Sequence, residues 1–245
     1  TRYWRDWSSD VCSSDLLVVS PMLACEDAYA LASWVLALDP KAELAVGPVP
    51  FTGEDRTFKG GFTMYAEKAP NARGVRRVLE ALNARRGGGT VHDAAAFTAA
   101  LRGKQFGAVV VTGNYPSDWV TPELRDAAAG TALVVVDTLE NPLAAMAECV
   151  LPGATWTEKA GTFENAKGRL QAFERAIEPI DFVKGELQVG SDLHAGFDGR
   201  AARPVTAESL RAEMAKVAGL ERFATDVHVP DLSFEQPSDM QFVEL

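Results

Sequence analysis

The chain has 245 residues, of which 47% are hydrophobic and 24% are charged, the balance of a folded globular protein rather than a disordered one. Its 34 acidic residues outnumber its 24 basic residues. The net charge of −10 argues against nucleic acid or anionic membranes as partners, because such surfaces attract clustered basic residues. No apolar run approaches the roughly 20 residues that a membrane span requires. Three cysteines are too few for a disulfide framework or a self-contained four-cysteine iron–sulfur or zinc site.

The first sixteen residues differ from the rest of the chain. They show neither helical nor strand periodicity, and they lack the apolar central stretch of a secretory signal. The run RDWSSDVCSSDL, from Arg5 to Leu16, resembles the translation of a sequencing-library adapter. We therefore expect residues 1–16 to be an artefact and the native chain to extend upstream of Leu17. A genuine disordered tail is the alternative.

Strand and helix patterns alternate over residues 16–85. The apolar run 16–20 predicts a short buried strand. Apolar residues at helical spacing predict helices over 24–38 and 73–85, and a second strand is predicted over 43–49. The stretch 51–72 is rich in glycine and has no clean period, so it is predicted to be a long functional or interface loop.

Two fully apolar strands, 108–111 and 132–136, flank a capped helix. Such runs without alternation are typical of strands that are covered on both faces. Between them, Thr121 suits the N-cap of a helix, Pro122 its first position and Gly130 its end. A strand, a helix and a strand within about 30 residues make a right-handed βαβ unit. The sequence therefore predicts an α/β fold with a doubly wound, mostly parallel sheet.

Beyond Pro152 the sequence becomes irregular. The segment 158–171 is rich in glycine and polar residues, which suits either a hairpin-like loop that grips a polar partner or a loop that only pins its own turns. Helices are predicted over 182–193 and 206–217, and the tail 225–245 is predicted to be extended. We predict an α/β domain over 17–176 and an irregular C-terminal extension, partly helical and partly extended, over 177–245.

Two predicted strand ends carry the candidate binding residues. In open α/β sheets, ligands bind outside the carboxyl ends of the strands. Gly113 lets a ligand approach the backbone and Asn114 offers an amide, although an ordinary strand-to-helix turn explains both residues and is the commoner case. Asp137 suits either a hydrogen bond from a ribose or guanine, or a cap of the following turn. We expect both strand ends to open on one crevice, with the 161–171 segment folded over it.

No catalytic residue and no metal site are predicted. The three histidines lie far apart in the sequence, without metal-ligand spacing, and nothing resembles a nucleophile–base pair. Cys25 begins a predicted helix, where the pKa of a thiol can fall, but a packing role is the favoured interpretation.

The sequence between the second apolar strand and residue 171 resembles the molybdopterin oxidoreductase superfamily. The shared pattern consists of a strand that ends in Asp137, then Cys149-Val150-Leu151-Pro152, Glu158, Gly161-Thr162, Asn165, Gly168-Arg169 and Gln171. Within that family, the blocks SPMLACEDAY (20–29) and AEKAPNARGV (66–75) resemble the large, G-type iron–sulfur subunit of NADH–quinone oxidoreductase, respiratory complex I. Two departures are Lys167, where an acid is common, and Glu148-Cys149, where Ala-Asp is usual.

The resemblance implies a Rossmann-like fold of the molybdopterin oxidoreductase type. In cofactor-bearing relatives, this part of the chain helps to hold the guanine dinucleotide of the molybdopterin, which would place Gly113, Asn114 and Asp137 at the cofactor. In the complex I branch, the same fold is a scaffold without the pterin. The leading expectation is therefore a non-catalytic scaffold in the arm that passes electrons from NADH to quinone.

This scaffold would hold no cofactor itself, since the iron–sulfur clusters would lie elsewhere in the parent chain. Its partners would be other peripheral-arm subunits of complex I, and its location would be cytoplasmic, peripheral to the inner membrane. The alternative is the C-terminal half of a molybdopterin-dependent, formate-dehydrogenase-like oxidoreductase that binds molybdopterin guanine dinucleotide. A third class is a nucleotide-binding module that works alone.

Overall fold

A computed structural model describes residues 14–103 and 106–229 of the protein. Of the adapter-like segment 1–16, residues 1–13, which include Cys12, lie outside the described residues, as does the tail from Pro230 onwards. Residues 14–16 of that segment belong to the first strand.

The chain forms strands and helices in the order that the sequence predicts, together with several short elements. The strands are β1 (Ser14–Val19), β2 (Glu43–Val46), β3 (Arg56–Thr57), β4 (Thr63–Met64), β5 (Val91–His92), β6 (Phe106–Thr112), β7 (Ala132–Asp137), β8 (Cys149–Pro152), β9 (Gly161–Glu164) and β10 (Leu170–Phe173). The helices are α1 (Cys25–Leu38), α2 (Ala72–Arg85), α3 (Ala94–Arg102), α4 (Pro122–Ala128), α5 (Glu186–Phe197), α6 (Ala207–Met214) and α7 (Arg222–Thr225).

Six strands form one sheet in the order β5-β2-β1-β6-β7-β8, and every pairing in it is parallel. The strand order reverses between β1 and β6, which is the switch point of a doubly wound sheet. The predicted fold class is therefore confirmed. Two small antiparallel hairpins, β3–β4 and β9–β10, accompany the sheet.

Strand β1 shows why the central strands are apolar without alternation. Leu17 and Val19 belong to a core cluster with α1 and α2, whereas Leu16 and Val18 belong to a second cluster with α3 and α4. Both faces of the sheet are thus covered by helices, and each face must be apolar to be buried.

The boundaries differ from the predicted ones where the sequence signal is short. Strand β1 begins at Ser14, two residues before the predicted start, and the loop 51–72 contains the β3–β4 hairpin. Helix α5 begins at Glu186 rather than at Phe182, which has a φ of 73° and is almost fully exposed. A bulky residue in the left-handed region cannot continue a helix, which explains the later start.

The C-terminal helices pack onto the same core as the first half of the chain. Leu187 of α5 and Met214 of α6 belong to the cluster that contains Leu17 of β1. The division at residue 177 stays a prediction of the sequence. Within the described ranges, no helix is both long enough and apolar enough to cross a bilayer.

Helices α5 and α1 approach each other closely at Gly190. A methyl group at this position would lie 2.7 Å from the carbonyl carbon of Ala30 and 2.8 Å from the amide nitrogen of Leu31. We expect Gly190→Ala to lower the free energy of unfolding by about 1–3 kcal/mol, because the two helix backbones must separate. Urea denaturation measures this change.

The matched control is Gly196→Ala in the same helix, where an added methyl group meets no atom within 4 Å among the described residues. There, alanine is expected to raise stability by roughly 0.5–1 kcal/mol through its helix propensity. Equal effects at the two positions would contradict the close approach of α1 and α5.

Candidate functional site

The three predicted binding residues come together at the carboxyl ends of β6 and β7. These strands pair side by side, with Thr112 opposite Val136. The backbone N–H of Gly113 donates to the carbonyl of Val136 at 2.9 Å, and the backbone N–H of Asn114 donates to Oδ1 of Asp137 at 2.7 Å. The two strand ends therefore lie together, as the sequence predicts, because the carboxyl ends of neighbouring parallel strands share one edge of the sheet.

The carboxylate of Asp137 is buried and receives four hydrogen bonds from the protein. Oδ1 accepts from the backbone N–H groups of Asn114 and Thr138, both at 2.7 Å. Oδ2 accepts from Nε1 of Trp119 at 3.1 Å and from Nδ2 of Asn141 at 2.8 Å. A carboxylate has about four acceptor positions, so internal donors take all of them. In this arrangement Asp137 holds its own turn, as one of the two sequence interpretations expects.

Gly113 and Asn114 also make contacts within the protein. A Cβ atom at Gly113 would lie 1.8 Å from Oδ2 of Asp137, so the position needs glycine to accommodate that carboxylate. Asn114 has a φ of 73°, and its Nδ2 donates to the carbonyl of Ala154 at 2.7 Å and to Oε1 of Glu186 at 3.2 Å.

A residue that sequence reasoning missed, Tyr115, reaches across the switch point of the sheet. Its hydroxyl donates to the carbonyl of Pro48 at 2.7 Å, beyond the end of β2, and its ring stacks on Trp119 with 4.9 Å between centroids. Burial raises the pKa of Tyr115. A Cβ atom at Gly47 would lie 2.9 Å from the tyrosine hydroxyl oxygen. The sequence feature that could have indicated this role is the aromatic residue directly after the Gly-Asn turn.

The N-terminus of α1 follows β1, where a dinucleotide-binding fold usually places a glycine-rich turn and a pyrophosphate. The turn 20–25 contains no glycine, and two buried acids follow it. Oδ2 of Asp27 accepts from the backbone N–H of Ala24 at 3.0 Å. The carboxylates of Glu26 and Asp27 thus lie where a phosphate would need positive partners. Burial also raises the pKa of Cys25 well above that of an ordinary thiol, in agreement with a packing role.

Five buried ionisable residues form what we call the charge cluster: Glu26 and Asp27 of α1, Lys159, Glu186 of α5 and Arg211 of α6. Nζ of Lys159 lies 2.9 Å from Oδ2 of Asp27 and also pairs with Oε2 of Glu186. Nη1 of Arg211 lies 3.0 Å from Oε1 of Glu26. The cluster joins α1, α5 and α6 at the carboxyl edge of the sheet.

The glycine-rich motif forms the β9–β10 hairpin, and its polar residues make internal contacts. The hydroxyl and backbone N–H of Thr162 donate to Glu26 at 2.7 and 2.8 Å. Glu164 accepts a two-point hydrogen bond from Arg77 of α2, at 2.7 Å for each oxygen. Asn165 accepts from two backbone N–H groups of the turn, where Gly168 has a φ of 73°. These contacts agree with the interpretation of a loop that pins its own turns.

The position of this hairpin differs in one respect from the expected arrangement. It packs on α1, α2 and α6, whereas the residue that contacts Asn114 from the preceding segment is Ala154. Lys159 pairs with Glu186, which also accepts a hydrogen bond from Asn114. The segment 153–159, rather than 161–171, therefore covers the strand end of β6.

A cavity of about 930 Å³ lies beside the charge cluster rather than at the strand ends. Lys159 and Arg211 contribute to its charged wall, and Leu187 and Phe223 to its apolar wall. Gly113, Asn114 and Asp137 are not part of its lining. In the part of the chain that the structure describes, no group of three or more His, Cys, Asp or Glu residues is placed to hold a metal ion.

The geometry at the strand ends does not fit a guanine dinucleotide as it stands. Asp137 has no acceptor position left for a guanine or a ribose, and the Asn114 amide is already hydrogen-bonded. A bound nucleotide would have to displace protein donors from a buried carboxylate, at a cost of about 1–3 kcal/mol for each group left unpaired.

Part of this chain is similar to a known protein family. Residues 90–193 match the family model for molybdopterin oxidoreductase. The F420-dependent formate dehydrogenase 1 subunit alpha of Methanococcus maripaludis is 32% identical over 149 residues, which are 56% of this chain and 22% of that protein. The second G-type subunit of the NADH-quinone oxidoreductase of Rhizobium meliloti is 31% identical over 114 residues, 45% of this chain and 13% of that protein.

The nitrate reductase of Symbiobacterium thermophilum is 41% identical over 58 residues, which are 24% of this chain and 7% of that protein. The chain therefore spans about a fifth or less of the length of these curated relatives. The parallel sheet, its switch point and the matching segment agree with one another. Residues 90–193 are thus similar in sequence to a molybdopterin oxidoreductase domain, and the mostly parallel α/β sheet is consistent with that similarity.

Proposed function

We propose that this chain is a scaffold portion of the G-type iron–sulfur subunit of an NADH–quinone oxidoreductase, and that it works without a molybdopterin. The observation that carries this proposal is the saturation of Asp137 by four protein donors, with Tyr115 lying across the switch point. The similarity to the G-type protein of Rhizobium meliloti supports the choice of parent.

In this role, the chain supplies shape and rigidity rather than chemistry. The charge cluster and the β9–β10 hairpin fasten the C-terminal helices to the sheet, so that the domain presents a fixed surface to neighbouring subunits of the peripheral arm. Electrons would pass from NADH to quinone through iron–sulfur clusters elsewhere in the parent protein. The protein would be cytoplasmic and would associate with the inner membrane through the complex.

A second candidate is part of a molybdopterin-dependent oxidoreductase of the formate dehydrogenase kind. The observation that favours it is the longer match to the formate dehydrogenase subunit of Methanococcus maripaludis, 149 residues against 114 for the G-type protein of Rhizobium meliloti. In that case Gly113, Asn114 and Asp137 would hold the guanine dinucleotide after a rearrangement of the strand ends.

Cofactor content and guanine-nucleotide binding test the scaffold proposal. The purified chain is assayed for molybdenum and pterin, and it is titrated with GDP in a calorimeter. We expect no stoichiometric molybdenum or pterin and no heat of binding, because the acceptor positions of Asp137 are filled. Stoichiometric pterin, or GDP binding that Asp137→Ala abolishes and Glu140→Ala retains, would overturn the scaffold role.

The sequence of the genomic locus that encodes this chain tests the choice of parent. A ferredoxin-like cysteine cluster without a plausible molybdenum ligand is expected for the G-type parent. A cysteine or serine ligand in a molybdopterin setting would instead identify the formate-dehydrogenase-like enzyme.

A further inference from the structure

The charge cluster contains more acids than bases. Its three carboxyl groups are fully buried at Glu26, Asp27 and Glu186, and its two cations are more than nine-tenths buried at Lys159 and Arg211. If all five groups were ionised, the cluster would carry one negative charge without a counterion. Proteins avoid a buried ion of this kind by shifting its pKa until the group is neutral.

The hydrogen bonds distinguish the three acids. Glu26 accepts from Arg211 and twice from Thr162, at 2.7–3.0 Å. Asp27 accepts from two backbone N–H groups, those of Ala24 and Leu187, and pairs with Lys159. Each of these two carboxylates therefore contacts three donors. Burial also raises the pKa of Glu26, and this contribution is common to the wild type and to a variant at Glu186.

Glu186 contacts fewer donors than the other two acids do. Its Oε2 shares Lys159 with Asp27, and its Oε1 accepts one neutral hydrogen bond, from Nδ2 of Asn114 at 3.2 Å. We infer that Glu186 carries a proton at neutral pH, and that the triad of Asp27, Lys159 and Glu186 is a pH-sensitive latch between α5 and α1.

Burial raises the pKa of Glu186, in the direction that this latch requires. Burial opposes the charge of Lys159, but its acidic neighbours raise the pKa of Lys159. The ion pair between Lys159 and Asp27 remains when Glu186 is neutral. Beyond the triad, Asp137 is linked to Glu186 through Asn114. Other ionisable groups on the neighbouring helices include Glu26 and Cys25 of α1 and Arg211 of α6, which pairs with Glu26. On the outer side of α5, Asp192 pairs with Lys184 at 2.8 Å.

The sign of the pH effect follows from the raised pKa of Glu186. An acid whose pKa is higher in the folded state than in the unfolded state contributes stability below its unfolded pKa, and this stability is lost as pH rises through its folded pKa. The unfolded pKa of a glutamate is about 4.3, so the loss begins above about pH 5. The thiol of Cys25, whose pKa is also raised, adds a similar loss above about pH 8, which sets the upper limit of a clean measurement.

Urea denaturation between pH 5 and pH 8 tests the latch in the full chain. We expect the wild-type midpoint to fall relative to that of Glu186→Gln as pH rises, so that the glutamine variant, which mimics the neutral acid, becomes the more resistant protein. Glu208→Gln, at the exposed first turn of α6, is the matched control and should follow the wild type. A Glu186→Gln midpoint that lies below the wild type by a constant amount across this range would overturn the inference.

Infrared spectroscopy provides a readout that does not depend on the stability of the variant. At pH 7 the wild-type protein should show the carbonyl band of a protonated carboxylic acid, and this band should be lost at higher pH. Its absence from the wild-type spectrum at pH 7 would overturn the inference even if Glu186→Gln failed to fold. Neither readout depends on the parent enzyme or on a pterin, so both are independent of the proposed function.

Discussion

Replacing Arg211 by methionine is expected to lower the free energy of unfolding by about 3–5 kcal/mol. The substitution leaves the fully buried Glu26 without its cation and removes a donor that also reaches the hydroxyl of Thr162 at 3.3 Å. Water cannot replace the lost cation beside a buried carboxylate, so the cost of the buried charge remains. Urea denaturation at pH 7 measures the loss.

An exposed ion pair of similar geometry provides the control. Nη2 of Arg200 lies 2.6 Å from Oδ2 of Asp198, but the arginine side chain is 64% exposed. We expect Arg200→Met to change stability by less than about 1 kcal/mol. Similar losses for the two arginine variants would mean that burial does not govern how much the Arg211–Glu26 ion pair contributes to stability. A Glu26→Gln, Arg211→Met double variant should recover part of the loss, because the two side chains interact directly.

The second large effect is expected at Asp137. Asp137→Ala leaves two backbone N–H groups, the indole of Trp119 and the amide of Asn141 without their common acceptor. Since hydrogen bonds to a buried charged group contribute more than neutral ones, we expect a loss of about 3–5 kcal/mol in the free energy of unfolding. Chemical denaturation, monitored by tryptophan fluorescence, measures it.

Glu140→Ala, at an exposed position three residues later, is the control and should be nearly neutral. A small loss at Asp137 would indicate that its donors find other acceptors, and that the carboxylate is available for a ligand. The stability of Asp137→Ala therefore bears directly on the choice between a scaffold and a nucleotide-binding domain.

The main elements of the sheet were predictable because their signals are local and strong. The runs 108–111 and 132–136 are apolar at every position, which indicates burial on both faces, and Thr121-Pro122 marks a helix start between them. Strand β5 has two residues, too few for any periodicity, and it exists because β2 offers an unpaired edge beside it. Such edge strands depend on their neighbours rather than on their own composition.

The candidate site was predictable only in part. Parallel strands end at one edge, so Asn114 and Asp137 were expected together, and the structure places them in direct contact. That the donors for Asp137 come from the chain itself was beyond sequence reasoning, because Trp119 and Asn141 are brought to it by the turns on either side. Tyr115 was missed for the same reason, since its partner, Pro48, lies 67 residues away.

The sequence by itself determined the parallel α/β architecture, the capped helices and the two strand ends that meet, because each depends on contacts within a few residues or on continuous apolar runs. The tertiary structure alone decided how the charges are used. Glu26 and Arg211 are 185 residues apart, and Asp27 and Leu187 are 160 apart, yet each pair is buried and hydrogen-bonded. No local pattern indicates which distant acid meets which base, because only the fold brings them together.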